Sequence, residues 1–178
     1  MSQQEIILIK KVKESDESAF HKLFYNYHDT LFRFVIYKVN DRDLAEDITQ
    51  ETFLRVWKKR KTLIPEKSFF SLLARISTNL LNGILNRAWQ SPLMPEFASS
   101  LSIAGKDGTT RRRFLNPTIE NKVRIKTGTL NDVSSAGGYV FGQSGEVFSF
   151  ALITNYPRVE RVLGPKFQEA LVEWITRL

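Results

Sequence analysis

A run of four cations is the part of the chain best equipped for chemistry: Lys58, Lys59, Arg60 and Lys61. Phe69 and Phe70 follow it, beyond Pro65. Arg75 and Asn79 then stand one helical turn apart, on a shared face. Binding of single-stranded nucleic acid needs cations for phosphates and flat surfaces for bases. We therefore expect the cations to contact phosphate, the alternative being a solvated edge. The two rings fit a hydrophobic core better than a stacking surface.

A second polar group precedes the cations and follows helical spacing: Asp43, Glu46, Asp47, Gln50 and Glu51. Taken alone, this pattern is typical of an ordinary solvated helix face. The chain as a whole is basic, with a formal net charge of +7 and a pI of about 9.7. This balance favours polyanionic partners such as nucleic acid.

The remaining composition excludes several classes of site. The absence of cysteine rules out disulfides and thiolate metal sites, and two histidines are too few for a histidine-rich metal centre. We expect no metal and no cofactor. Neither a signal-peptide pattern nor an apolar run long enough to span a bilayer is present in the sequence. The expectation is a cytoplasmic protein that does not enter a membrane.

Two unlike pieces of chain must position these residues. All nine glycines lie at Gly83 or later, and five of the six prolines lie at Pro92 or later. Because glycine and proline interrupt regular structure, the front piece is predicted to be a helical bundle and the back piece to be turn-rich and mixed. We place the domains at 1–80 and 81–178.

Apolar periodicity predicts four helices in the front piece. They run from Gln3 to Lys13, from the Ser15-Asp16 cap to about Val39, from the Asp41–Asp43 cap to the basic cluster, and from Pro65 towards Trp89.

In the back piece, Pro92 and Pro95 are expected to exclude helix, and three strand-like runs follow: Lys122 to Lys126, Ser135 to Phe141, and Val147 to Asn155. A last helix is predicted from about Pro165 to Arg177, with Phe167, Leu171, Trp174 and Ile175 on one face. The fold class is therefore α+β. We expect an N-terminal helical bundle joined through a shared helix to a three-stranded antiparallel sheet with a C-terminal helix.

The segment Asp-Leu-Ala-Glu-Asp-Ile-Thr-Gln-Glu-Thr-Phe-Leu-Arg-Val-Trp at 43–57 resembles the second conserved region of bacterial extracytoplasmic-function sigma factors. Residues 16–20, 25–34 and 69–79 fit the same family, so the resemblance covers about residues 5–79. It implies docking of the acidic face on the coiled coil of the largest subunit of core RNA polymerase, where complementary charge steers the encounter. The docking residues it implies are Asp43, Asp47, Gln50 and Glu51.

The same resemblance implies opening and reading of promoter −10 DNA as a single strand. The residues implied are Lys58, Lys59, Arg60, Lys61, Arg75 and Asn79. The chain departs from the family at Gly83 and Asn86, where an acidic residue and a basic end are usual. It also lacks the helix-turn-helix that reads the −35 element, so autonomous promoter recognition is expected to be weak.

From about Leu80 the chain resembles the C-terminal end of penicillin-binding proteins of the D-alanyl-D-alanine carboxypeptidase/endopeptidase type. Residues 84–97 and 100–109 carry the resemblance, followed by Lys-Thr-Gly-Thr-Leu at 126–130 and Gly-Tyr-Val at 138–140. Ser102, Lys106 and Gly137 depart from the usual residues. The resemblance implies that Lys126, Thr127 and Gly128 correspond to the substrate-binding strand of that family.

Catalysis in that family also needs a Ser-x-x-Lys motif and a Ser-x-Asn motif. No serine of this chain has lysine three residues on. Ser77-Thr78-Asn79 spells Ser-x-Asn, which we interpret as coincidence. No acyl-enzyme is expected without the serine, and its removal from a serine hydrolase of comparable logic costs roughly 10⁶-fold in rate. Lys126, Thr127 and Gly128 are then relics, with anion binding as the alternative.

Three functional hypotheses remain open. The first is a non-enzymatic, sigma-like module that binds polymerase core and promoter DNA. The second is a carboxypeptidase or penicillin-binding protein, and the third is an engineered or recombinant chimera without native activity. The strand at Val147 to Asn155 is expected to have lost a neighbour of the parent sheet. It is then covered by the helices, pairs in a homodimer, or promotes aggregation.

Overall fold

The computed structural model describes residues 2–39, 41–130 and 133–178. The chain divides into two compact units, Met1–Ser77 and Thr78–Leu178. Among the described residues, no helix is both long enough and apolar enough to cross a membrane.

The first unit is a helical bundle. It contains α1 (Gln3–Lys13), α2 (Glu17–Val39), α3 (Arg42–Lys58), a 3₁₀ turn at Arg60–Thr62, and the first part of α4 (Phe69–Trp89). Side-chain caps fix where the helices begin, because the Asp16 carboxylate accepts the Ala19 N–H at 2.9 Å, and Asp41 does the same for Leu44 at 3.0 Å. The four helices were predicted from sequence, and the bounds of α1 agree to the residue.

Apolar residues at three- and four-residue steps form the core of this bundle. The most deeply buried side chains on α1 and α2 are Ile9, Val12, Leu23, Leu31, Phe34 and Val35. Phe53 of α3 and Phe69 and Leu73 of α4 are buried as well. The pattern that predicted the helices therefore also identified their inward faces.

The second unit is a sheet with helices on both faces. Its strands are β1 (Ser102–Ile103), β2 (Val123–Leu130), β3 (Val133–Phe141) and β4 (Val147–Asn155), in the order β1-β2-β3-β4 and antiparallel throughout. The helices of this unit are the rest of α4, a short α5 (Met94–Ser100) and α6 (Leu163–Thr176). The α+β fold class is confirmed, and β4 has the predicted bounds.

Alternation along β3 assigns its side chains to the two faces. Ala136 and Val140 point to the α6 side, where they join a core that includes Ile125, Phe150 and Val172. Tyr139 points to the other side, where its hydroxyl donates to the Leu85 carbonyl of α4 at 2.6 Å. Trp89 packs on the Tyr139 ring at a centroid distance of 4.9 Å.

Gly138 allows β3 to lie close to its neighbour. It has φ +152°, and a Cβ added there would lie 2.0 Å from the Arg124 carbonyl oxygen of β2. A side chain at this position is therefore excluded both by conformation and by space.

Three expectations about the second unit need correction. The sheet has a fourth strand, because the two residues of β1 pair with Ile125 and Arg124. Pro95 does not exclude helix: it lies in the first turn of α5, where a missing N–H costs no hydrogen bond. The single apolar face predicted for α6 is only partly buried: the inward side is formed by Gln168, Val172 and Ile175, whereas Phe167 and Trp174 are exposed.

Candidate functional site

Helix α3 turns its acidic residues away from the core of the first unit. Its buried side consists of Ala45, Ile48, Thr49, Thr52, Phe53 and Val56. The opposite side exposes Asp43, Glu46, Asp47 and Gln50, with Glu51 half-buried. The structure therefore brings the predicted docking residues together on three successive turns of one helix.

Two threonines on the buried side of α3 have their hydroxyls paired within the helix. Thr49 Oγ1 donates to the Ala45 carbonyl and Thr52 Oγ1 to the Ile48 carbonyl, each at 2.7 Å. Both hydroxyls are fully buried and would be costly to leave unpaired. Because their hydrogen bonds are made within the helix, α3 packs against the bundle without needing partners from another element.

Arg55 partly neutralises the acidic face. Its Nε donates to Glu51 Oε1 at 2.7 Å, one helical turn away. This hydrogen bond is the main cause that lowers the pKa of Glu51. Asp43 and Asp47 form no ion pair with the residues that the structure describes. Glu46 is exposed and likewise forms no ion pair among the described residues, so Asp43, Glu46 and Asp47 are the carboxylates of this face available to an external cation.

Leu54 extends the acidic face and was missed in the sequence. It follows Gln50 by four residues and Glu51 by three, and it is 52% exposed. The signal in the sequence was its spacing. Asp47, Gln50 and Leu54 follow Asp43 by four, seven and eleven residues, and these steps stay on one face of a helix. The face thus combines carboxylates, an amide and an apolar side chain.

The basic cluster separates into two kinds of residue. Lys58 ends α3, Lys59 caps it, Lys61 lies in the 3₁₀ turn, and all three are exposed. Arg60 is engaged inside the unit: its Nε donates to Ser15 Oγ at 2.9 Å and its Nη1 to the Trp57 carbonyl at 3.0 Å. Its guanidinium also lies 4.4 Å from the centroid of the Trp57 ring. Three lysines, rather than four cations, face solvent.

The aromatic rings beyond the cluster pack inside the bundle. Phe69 is buried, and its ring centroid lies 5.4 Å from that of Tyr27. Phe70 is half-buried, with its centroid 5.8 Å from that of Phe34. Their positions match the expectation that both rings belong to the core.

Arg75 and Asn79 are both exposed on α4, on either side of the boundary between the units. Ser77 is fully buried, and its hydroxyl donates to the Ala74 carbonyl of the same helix at 3.0 Å. The hydroxyl of the Ser-x-Asn sequence is therefore used for helix packing.

The Lys-Thr-Gly residues lie at an open edge of the sheet. Because β1 pairs only with Arg124 and Ile125, the segment 126–130 of β2 has β3 as its single partner strand among the described residues. Thr127 Oγ1 lies 2.8 Å from Thr109 Oγ1, a partner that the sequence did not suggest. The Gly128 carbonyl accepts a hydrogen bond from Ser135 Oγ at 3.1 Å.

Lys126 bends back along its own strand. Its Nζ donates to the Thr127 carbonyl at 2.8 Å. The side chain as a whole is exposed, but desolvation of the ammonium group lowers the pKa of Lys126. Within the described ranges, no group of three or more His, Asp or Glu residues could hold a metal ion.

Residues 59–178 match the D-Ala-D-Ala carboxypeptidase 3 (S13) family. The chain belongs to this family. Residues 23–90 match Sigma-70 region 2, so residues 59–90 fall within both matches. In this S13 family member, the Lys-Thr-Gly edge lies in the carboxypeptidase part and the acidic face of α3 lies in the sigma part. The resemblance of each piece of the sequence to its family is confirmed.

Relatives are found for both parts. The chain is 33% identical over 75 residues to the ECF RNA polymerase sigma factor BldN of Streptomyces coelicolor, covering 42% of this chain and 28% of that protein. It is 31% identical over 85 residues to the D-alanyl-D-alanine carboxypeptidase of Actinomadura sp. (strain R39), covering 45% of this chain and 16% of that protein. A crystal structure of penicillin binding protein 4 (dacB) from Haemophilus influenzae aligns with a TM-score of 0.43 at 17% identity, covering 83% of this chain and 38% of that one. The chain thus spans less than a third of either of these two curated relatives.

Proposed function

We propose that this chain is a non-enzymatic, sigma-factor-like module that binds core RNA polymerase and promoter −10 DNA, fused to a catalytically incomplete carboxypeptidase fragment. The observation that carries the proposal is the exposed face of α3, within the Sigma-70 region 2 match. Relatives of this part are named as RNA polymerase sigma factors.

The chemistry of the face suits a basic, partly apolar partner. Asp43 and Asp47 supply negative charge in a chain whose net charge is positive, so they direct a cationic partner to this helix. Gln50 adds a hydrogen-bonding amide, and exposed Leu54 supplies the apolar contact that gives an interface affinity once the partner is near. The coiled coil of the polymerase's largest subunit is the partner that we assign to this face.

The lysines after α3 supply the second contact. Lys58, Lys59 and Lys61 are exposed at the end of the helix whose other turns carry the acidic face. Cations in such a cluster bind phosphates of any sequence, so they contribute affinity for the DNA strand and not selectivity. Arg75 and Asn79 are also exposed, and we assign them to contacts further along the same DNA strand.

Retention on core polymerase tests the docking face. A variant with Asp47, Gln50 and Glu51 changed to alanine is expected to lose binding at least tenfold. The control changes Gln4, Glu17 and Glu66 to alanine, because these residues are exposed in the same unit and carry the same total charge. Equal retention of both variants, or no retention of the unaltered chain, contradicts the assignment.

The non-enzymatic part of the proposal rests on the missing nucleophile. Lys126 and Thr127 are present: Lys126 Nζ donates to the Thr127 carbonyl, and Thr127 Oγ1 is hydrogen-bonded to Thr109 Oγ1. However, no serine stands three residues before a lysine. Incubation with a fluorescent penicillin is expected to leave the chain unlabelled after denaturing electrophoresis. A covalently labelled band would identify a serine nucleophile and favour the carboxypeptidase alternative.

A further inference from the structure

Helix α6 carries an apolar stripe that the second unit leaves exposed. The stripe consists of Leu163, Phe167 and Trp174 of the helix and of Leu178, two residues after the helix ends, and these are 63%, 53%, 60% and 45% exposed. Its two aromatic rings belong to the apolar face predicted from the sequence, but Gln168, Val172 and Ile175 occupy the side towards the sheet. Large apolar side chains exposed together on one helix mark an interaction surface.

The stripe lies on the side of α6 that faces strand β4. On the opposite flank, Glu169 accepts a hydrogen bond from Arg113 Nε at 3.0 Å. Arg113 lies on the β2 side, because a Cβ added to Gly105 would lie 3.4 Å from the Arg113 carbonyl oxygen, and the neighbouring Ala104 N–H donates to the Val123 carbonyl of β2. At 100° per residue, Phe167 and Trp174 lie about 140–160° around the helix from Glu169. They are therefore directed away from β2 and towards β4.

Strand β4 is an open edge beside this stripe. Among the described residues it pairs with β3 alone. Its sequence, Val-Phe-Ser-Phe-Ala-Leu-Ile-Thr-Asn, contains no charge and no proline over nine residues. Native sheets normally protect such edges with lysine, proline or a bulge. An uncharged edge next to an apolar stripe is suited to accept another strand.

The spacing of the stripe identifies what kind of partner fits. Leu163 and Leu178 lie at equal distances from the midpoint of Ala170 and Leu171, and so do Phe167 and Trp174. A two-fold axis through that midpoint brings Phe167 of one copy against Trp174 of the other. This self-complementarity is what an isologous interface between identical chains requires.

The middle of strand β4 lies level with the midpoint of the α6 stripe. Ser134 of β3 lies against Gly164 near the start of α6, and Gly142 lies near Leu178, two residues beyond the end of α6. Gly137, about halfway between them, pairs with Ala151, the middle residue of β4. One axis can therefore relate both the strands and the stripes.

We propose that two copies of this chain form a dimer in which β4 pairs antiparallel with β4 of the partner and the two α6 stripes pack across the same axis. The β3 strands that underlie the helices would then be three strand spacings apart, about 14 Å. Helices in direct contact pack at about 8–10 Å. The difference requires large side chains between the helices, and Phe167 and Trp174 from both copies supply them.

The exposed area is of the right order for a stable contact. Aromatic side chains bury about 150–250 Å² each, so the exposed parts of Phe167 and Trp174 amount to roughly 250 Å² per copy. The two leucines and the nine-residue edge add to this area. A specific interface needs about 1,000 Å² in total, which two copies of this surface can reach.

Sedimentation of the full chain between about 1 and 100 µM tests the dimer. The unaltered chain is expected to dimerise, and a Phe167→Ser/Trp174→Ser variant is expected to dissociate at least tenfold more readily. The control is Leu93→Ser/Leu115→Ser, two exposed leucines of the same unit outside the stripe. Circular dichroism checks that both variants are folded. A monomeric unaltered chain, or equal dimerisation of all three proteins, overturns the proposal.

Cross-linking tests the register independently. The chain contains no cysteine, so single cysteines can be placed without background. A mixture of Phe167→Cys and Trp174→Cys chains, treated with a short bismaleimide, is expected to form more covalent dimer than either chain alone. Equal yields from the mixture and from the separate chains would exclude the antiparallel register.

Discussion

At the residue scale, Arg60 and the lysines beside it have different roles although they are consecutive in the sequence. Arg60 joins the turn between α1 and α2 to the end of α3 through Ser15 and Trp57. Lys59 and Lys61 point to solvent. The sequence alone does not distinguish the cation that bonds inside the unit from those that face solvent, because each appears only as a positive charge near a helix end.

Substitution of these residues is expected to separate stability from binding. Arg60→Ala should lower the free energy of unfolding by about 1–2 kcal/mol, since two hydrogen bonds and a cation–π contact are lost. Lys59→Ala/Lys61→Ala should change it by less than about 0.5 kcal/mol. Urea denaturation of the two variants measures this difference.

The contribution of these lysines to DNA binding is measured by the dependence of the affinity on salt concentration. Each lysine that contacts a phosphate contributes about 0.7 to the slope of log affinity against log salt concentration for a single strand. Lys59→Ala/Lys61→Ala should therefore reduce the slope by about 1.4. An unchanged slope would remove these lysines from the DNA contact even if the polymerase assignment holds.

At the element scale, local patterns predicted where most elements lie but not which side of α6 is buried. The bounds of α1 and β4 agree with prediction because caps, turns and periodicity act locally. The position of Pro95 is not predictable in this way, because a proline in the first turn of a helix is indistinguishable, in sequence, from one that ends a helix. The two-residue β1 has no periodicity to detect.

Which side of α6 is buried depends on contacts with residues that are distant in the sequence. A glutamine is normally exposed, so Phe167 and Trp174 were the natural choices for burial. Gln168 is fully buried because both ends of its amide are satisfied. Its Oε1 accepts from Arg113 Nη2 at 2.9 Å, and its Nε2 donates to Ser134 Oγ at 2.8 Å. Arg113 and Ser134 lie 55 and 34 residues away from Gln168 in the sequence.

Gln168→Leu is expected to destabilise the second unit by about 1–3 kcal/mol, because Ser134 and Arg113 each lose a buried partner. Thermal or urea denaturation measures the loss. Gln143→Leu serves as the control: Gln143 is exposed in the turn between β3 and β4, and its backbone hydrogen bond to Thr176 is retained. Equal stability of the two variants would show that the buried amide contributes nothing.

At the scale of the whole molecule, α4 is the α-helix common to both family matches. It spans Phe69–Trp89, within residues 59–90 of the overlap, and the boundary between the units falls inside it. Asn86, which departs from the sigma pattern, instead accepts a hydrogen bond from Ser149 Oγ of β4 at 2.6 Å. The second half of the helix is thus specified by the sheet that it covers.

Gly83 is the weakest helical residue of α4, and its replacement tests how this helix links the units. No atom lies within 4 Å of a Cβ added there, and its φ is not positive. Gly83→Ala should therefore stabilise the helix by about 0.5–1 kcal/mol. Because one hydrogen-bond ladder runs through the whole of α4, amide exchange should slow from Phe69 to Trp89, on both sides of the unit boundary.

Gly145→Ala is the matched control, because its added Cβ also meets no atom within 4 Å but its φ is +84°. A side chain disfavours that conformation, so this variant should destabilise the turn before β4 by about 1 kcal/mol and leave exchange in α4 unchanged. Hydrogen exchange read by mass spectrometry resolves the two regions. If Gly83→Ala protected only residues 78–89, the two halves of α4 would belong to separate cooperative units, and the shared helix would join the two pieces without coupling them.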